Sequence, residues 1–113
     1  MDLSQIETIL NQHNGKNFVK RILLPEAYPT LKEGKYQVAT HKMSWGESDG
    51  KYYVFPSVMQ EKDGSLKDYG EAAFDVAMKR REFISFDNPK DADDFSKNYK
   101  MYWDKIGYQP GGE

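Results

Sequence analysis

Cysteine is absent from the 113 residues, which removes disulfides, thiolate nucleophiles and Cys-ligated zinc from consideration. The same absence fits a reducing compartment, and synthesis in a cytoplasm is expected. Histidine is nearly absent: His13 and His41 are the two present. Neither has a second histidine three or four residues away, the spacing that puts two metal ligands on one helix face. Long apolar runs are missing too, and none approaches the roughly 20 residues of a membrane span. Residues 1–10 carry acids where a signal peptide needs bases, so no membrane partner is expected. An excess of one charge is also lacking, with 16 Lys and Arg against 18 Asp and Glu, and six of each in residues 1–50. Without a basic field to hold a phosphate backbone, nucleic acid is disfavoured as a partner.

What is present is aromatic. Hydrophobic residues make up only 38 % of the chain, but eight Tyr, six Phe and two Trp supply much of the apolar area. The length suits one domain with a small aromatic core. In residues 1–10, Leu3, Ile6, Ile9 and Leu10 share one helical face, Ser4 and Glu7 have capping-box spacing, and Asn14-Gly15 ends the helix. Residues 17–24 continue with Phe18 and Ile22 at helical spacing, and Lys20 and Arg21 on the other side, until Pro25 stops the pattern. Pro25, Pro29 and Gly34 mark irregular chain.

From Tyr36 the period changes to two. The runs 36–45 and 51–60 flank the loop 46–50, whose Asp49-Gly50 predicts a β-hairpin. Tyr52, Val54, Pro56 and Val58 fall on one face of the second strand, with Tyr53, Phe55 and Met59 on the other, so both faces should be covered. Pro56 cannot donate to a ladder and belongs at an edge or a bulge. Residues 61–64 form another turn, and Leu66 opens a short connector. Residues 69–82 read as a helix with the stripe Ala73, Phe74, Ala77 and Met78, and Lys79-Arg80-Arg81 at its end. Residues 83–86 form a candidate third strand. One further helix runs over 90–106, capped by Asp87 or Asn88, with Pro89 in its first turn and Gly107 ending it. Its stripe is Ala92, Phe95, Tyr99, Tyr102 or Trp103, and Ile106. Residues 109–113 read as a disordered tail or a processed or tethering end.

No group of residues specifies a reaction. His41 and Ser44 could be drawn into a serine-histidine-acid set, but no nucleophile motif accompanies them. Asp91, Asp93 and Asp94 sit in the first turns of a helix, where the dipole already favours acids, and the EF-hand pattern is missing. The glycines are dispersed, each at a turn, so no phosphate loop exists. Lys79-Arg80-Arg81 reads as a solvated helix end. The aromatics Trp45, Tyr52, Tyr53 and Phe55 divide between core walls and an exposed shelf, and residues of this kind are enriched at protein interfaces.

Taken in order, Phe18-Val19-Lys20-Arg21-Ile22-Leu23, Tyr28-Pro29, Thr40-His41-Lys42-Met43, "DGKYYVFPSV" over 49–58, Ala72-Ala73-Phe74 and "FDNPKDADDFS" over 86–96 form one pattern. Over residues 16–106 it resembles a small module of tailed bacteriophages. That module is found as short phage proteins and as a segment of large internal or ejected virion proteins. The resemblance implies a phage origin and a place in the virion, and brings no catalytic residues with it. An alternative is a phage accessory protein that binds and inhibits a host factor. Another is a cell-wall-binding module built on Trp45, Tyr52 and His41.

The expected fold is α+β, an antiparallel β-hairpin with an optional third strand, packed against two or three helices. Residues 1–15 are expected as an N-terminal helical arm, 16–107 as the domain and 108–113 as a flexible tail. The expected function is a non-enzymatic virion protein, made in the bacterial host cytoplasm, that docks on other phage structural proteins in many copies. No catalytic, cofactor or metal residue is assigned. Trp45, Tyr52, Tyr53 and Pro56, together with Leu3, Ile6 and Leu10 of the arm, are the candidate docking residues.

Overall fold

In a computed structural model the described residues are 1–28, 31–33, 37–39 and 42–108. Asp2 starts helix α1 (Leu3–Gln12): its carboxylate accepts from Gln5 N, while Gln5 Oε1 accepts from Asp2 N. The capping box therefore falls two residues before the predicted Ser4 and Glu7, and Ser4 lies inside the helix. The apolar face is the predicted one, but Ile6 and Leu10 are fully buried in the main core with Phe18, Val19 and Ile22. Residues 1–15 thus do not stand off as an arm, because α1 is one wall of the core. An amphipathic stripe shows that a face must be covered, and here the chain itself covers it.

Helix α2 (Asn17–Leu23) ends where Pro25 enters a short 3-10 turn, Pro25–Ala27. Its Arg21, placed on the solvent side by the sequence, is instead buried at 1 % exposure. Strands β1 (Leu31–Glu33) and β2 (Gln37–Ala39) pair antiparallel. Tyr36, Thr40 and His41 of the predicted first hairpin strand lie outside the described residues, as do Pro29, Gly34 and residues 109–113 of the predicted tail 108–113, whose first residue, Tyr108, is instead half-buried with its ring against Trp103.

The central sheet is built from β3 (Met43–Ser48), β4 (Lys51–Pro56) and β7 (Ile84–Phe86), all antiparallel in the order β3-β4-β7. The hairpin and the third strand are present as expected, but β3 takes only the end of the predicted run 36–45, whose residues 37–39 pair with β1 instead, and the loop is shorter. Ser48 pairs with Lys51, so Asp49 and Gly50 alone make the turn, at φ 52° and 78°. Two left-handed residues define a type I′ turn, whose twist matches the strands. The tightening draws Gly46 into β3 opposite Tyr53, where Phe74 lies 3.4 Å from the site of a Cβ.

Alternation along β4 sends Val54 into the main core, with Ile84, Ala92 and Phe95, and Phe55 into a second cluster with Ala73 and Ala77. Helix α4 (Pro89–Asn98) covers the first face and α3 (Ala73–Arg80) the second. Both faces of the strand are therefore covered. Pro56 closes β4 opposite Met43, and Ser57 N donates to Lys42 O at 2.8 Å. The ladder alternation then turns the proline nitrogen away from β3, beyond the point where β7 has ended opposite Val54. The chain next enters a separate hairpin, β5 (Val58–Gln60) with β6 (Leu66–Asp68), where the sequence suggested one continuous strand and a connector.

Asn88 caps α4 by accepting from Asp91 N, with Pro89 at the first position. The predicted single helix is divided at Tyr99 and Lys100, and α5 spans Met101–Ile106. Asn98 Nδ2 donates to Asp94 O at 3.0 Å and also to Asp94 Oδ1, so it stays bonded within α4. Tyr102 and Trp103 then bond back to Tyr99 and Lys100, an i to i+3 tightening. Phe86, Phe95, Tyr99, Trp103 and Tyr108 form a run of ring contacts at centroid spacings of 5.7, 6.3, 5.8 and 5.2 Å. The fold is α+β. Among the described residues no helix is long and apolar enough to cross a membrane.

Candidate docking surface

Two local stops create an exposed apolar patch. Pro25 ends α2 and is itself buried, while Leu24 before it, in a non-helical conformation, is left 62 % exposed. At the end of α5, Gly107 is left-handed at φ 75°. Gly107 N donates to Asp104 O and Tyr108 N to Trp103 O, the bond pair of a Schellman motif. This reversal seats the Tyr108 ring on Trp103 and leaves Ile106, expected on the buried stripe, at 44 % exposure. Trp103 Nε1 donates to Ile22 O at 2.8 Å, so α2 and α5 are joined beneath the patch.

Between them lies a cleft of about 330 Å³ whose walls include Leu23, Leu24, Ala27, Ile106 and Tyr108. A neighbouring recess of about 430 Å³ shares Leu23 and Leu24 and is rimmed by Tyr28, Tyr102, Asn11, Asn14 and Lys20. The floor is aliphatic, and the rim carries aromatic, amide and lysine side chains.

The residues singled out from sequence are dispersed. Trp45 is 37 % exposed, but its Nε1 donates to Asp93 Oδ1 at 3.1 Å and its ring meets Tyr52 edge-on at 6.1 Å. Lys97 first, and Trp45 second, hold the Asp93 carboxyl below the ordinary carboxylate range. Tyr52 is half-buried against the main core, and Tyr53 is half-buried with its ring on Phe83. Leu3 is half-buried. Pro56, Ile6 and Leu10 are fully buried and offer no docking surface, because they fill this chain's own core. His41 lies outside the described residues.

A second, polar cluster joins α2, the β5–β6 hairpin and α3. Glu82 accepts from the backbone N–H groups of Asn17 and Phe18, at 3.2 and 2.8 Å, and so closes the start of α2. Asn17 bridges to Gln60 at 2.8 Å and accepts from Arg21 Nε at 3.0 Å. Tyr69 donates to Glu61 at 2.6 Å, while Arg80 donates to both Glu61 and Tyr69. The Tyr69 hydroxyl first, and Arg80 after it, hold the Glu61 carboxyl below its usual range. These groups satisfy one another, which makes the cluster a joint between elements.

Among the described residues, no group of three or more His, Cys, Asp or Glu is placed to hold a metal. His13 takes a 2.9 Å contact from Lys16 Nζ, and burial followed by that cation lowers its pKa. No family model, curated protein or solved structure matches the chain. The patch at Leu24 and Ile106 escaped sequence reasoning. The one available signal was Leu23-Leu24-Pro25, where two adjacent leucines at a helix end cannot both face one core.

Proposed function

We propose that the chain is a non-enzymatic docking protein of a tailed-bacteriophage particle, and that it binds another phage structural protein. The observation that carries the docking role is the pair Leu24 and Ile106, exposed on either side of one cleft in a chain with few aliphatic residues to spare. The partner would insert an apolar side chain into that cleft, with the Tyr28 and Tyr102 edges as flanking contacts. Assignment to a virion rests on the sequence pattern of residues 16–106, and use in many copies accompanies it. Trp45, backed by the half-buried Tyr52, provides a further exposed aromatic side chain.

Affinity capture from infected cells, paired with mass spectrometry of purified particles, tests the reading. Leu24→Asp and Ile106→Asp alter exposed side chains and should abolish capture of the phage partner while leaving the melting profile unchanged. Absence of the protein from particles would refute the virion assignment. Capture of a host protein alone, lost in the same variants, would favour the inhibitor alternative.

A further inference from the structure

We infer that Asn14 is a site of spontaneous covalent modification, in which its side-chain amide is lost through a cyclic imide with Gly15. The reaction needs an exposed asparagine, a free N–H on the following residue and room for the ring to close. All three meet at the turn between α1 and α2. Asn14 and Gly15 are both exposed. Lys16 N donates to His13 O and His13 N to Leu10 O, whereas neither Gly15 N nor the Asn14 side chain takes part in the hydrogen bonding of the turn. Nothing lies within 4 Å of where a Cβ on Gly15 would stand.

The other described asparagines are each held back. Asn11 precedes Gln12 inside α1, and Asn17 is bonded to Gln60 and Arg21. Asn88 is followed by Pro89, which has no N–H to attack, and caps α4. Asn98 donates to Asp94, and the N–H of Tyr99 behind it is committed to Phe95 O.

In the step itself the Gly15 nitrogen attacks Asn14 Cγ. The N–Cγ bond forms, the Cγ–Nδ2 bond breaks, and ammonia leaves with the proton from the Gly15 nitrogen. Water then opens the ring at either carbonyl, giving an aspartyl or an isoaspartyl linkage with no change of oxidation state. Either product places a carboxylate on the rim of the recess that also holds Lys20, Tyr28 and Tyr102. The isoaspartyl form also lengthens the connection between α1 and α2 by one backbone carbon.

Full-length protein aged in mildly alkaline buffer at physiological temperature should gain one negative charge per molecule on ion exchange. Peptide mapping should locate it at position 14 as a mixture of both linkages. Gly15→Ala tests the mechanism: Gly15 is not left-handed and its Cβ site is open, so the variant folds, and the reaction should slow by an order of magnitude. Asn14→Gln should remove the acidic species. An aged protein without it, a charge gain mapping to another asparagine, or an unchanged rate in Gly15→Ala would each overturn the inference.

Discussion

The Arg21 guanidinium sits at 1 % exposure on a helix whose neighbouring Lys20 is in solvent. Its Nη2 donates to Val58 O at 2.6 Å and its Nε to Asn17, so the charge is spent on joining α2 to β5. Burial draws its pKa down to about 10 against the opposing pull of Glu82, which leaves it protonated at neutral pH. Glu82 therefore has two duties, as counter-charge to Arg21 and as acceptor for the first N–H groups of α2. We predict that Glu82→Ala costs about 1–3 kcal/mol, since it strands buried donors, and that the cost shrinks in an Arg21→Met background. Strict additivity of the two changes in urea titrations would show that the groups do not couple. Phe95 is fully buried between Phe86 and Tyr99. Truncation to Ala there should lower the free energy of unfolding by about 3–5 kcal/mol, and a melting temperature within a degree or two of the parent would contradict the packing.

At the scale of elements, the β3–β4 turn concentrates backbone strain in two residues, and Gly50 at φ 78° is the one that tolerates it without penalty. Gly50→Ala should cost about 1–2 kcal/mol, read as a shift in urea midpoint with an unchanged slope. The hairpin was legible because alternation and Asp-Gly agree. The third strand and the start of α4 were legible for similar local reasons, the latter from Asn88-Pro89. What escaped depends on groups far apart in sequence or on competing local bonds. The stripe on α1 was readable, but not that Ile6 and Leu10 would meet Phe18 and Ile22. The break after Asn98 leaves no mark on the periodicity, because Tyr99 and Lys100 keep αR dihedral angles while the hydrogen bonds that follow tighten to i to i+3. Arg21 was misplaced because its acceptor, Val58 O, comes from a strand 37 residues away. The exposed apolar patch at Leu24 and Ile106 was hidden for the same reason: Ile106 continues the stripe of α4 until the division at Tyr99 and the reversal at Gly107 turn it outward.

Across the whole molecule, ionic contacts tie elements distant in sequence, and their protonation sets how stability varies with pH. Gly70 N first, and Lys42 second, hold the Asp68 carboxyl below its ordinary range, and Lys51 does the same for Asp87. Glu61, Asp93 and Asp94 are lowered as well, Asp94 chiefly by the amino group of Met1. A carboxyl whose folded pKa lies below its unfolded value adds stability above the unfolded pKa, and that stability is lost as pH falls through the folded value. The carboxylates therefore act together below about pH 4. His13, lowered by burial and then by Lys16, obeys the same sign one range higher, because the folded chain resists its protonation. Stability should thus be level near neutrality, decline slightly as pH falls below roughly 6.5, and decline steeply below about pH 4. Urea midpoints measured across this span check the profile. His13→Gln should remove the upper step and leave the lower one, while added salt should flatten the lower step, since its ion pairs are at the surface. A midpoint that rises on acidification through the histidine range in the parent but not in His13→Gln would reverse the sign and show that His13 gains a partner on protonation instead of losing one.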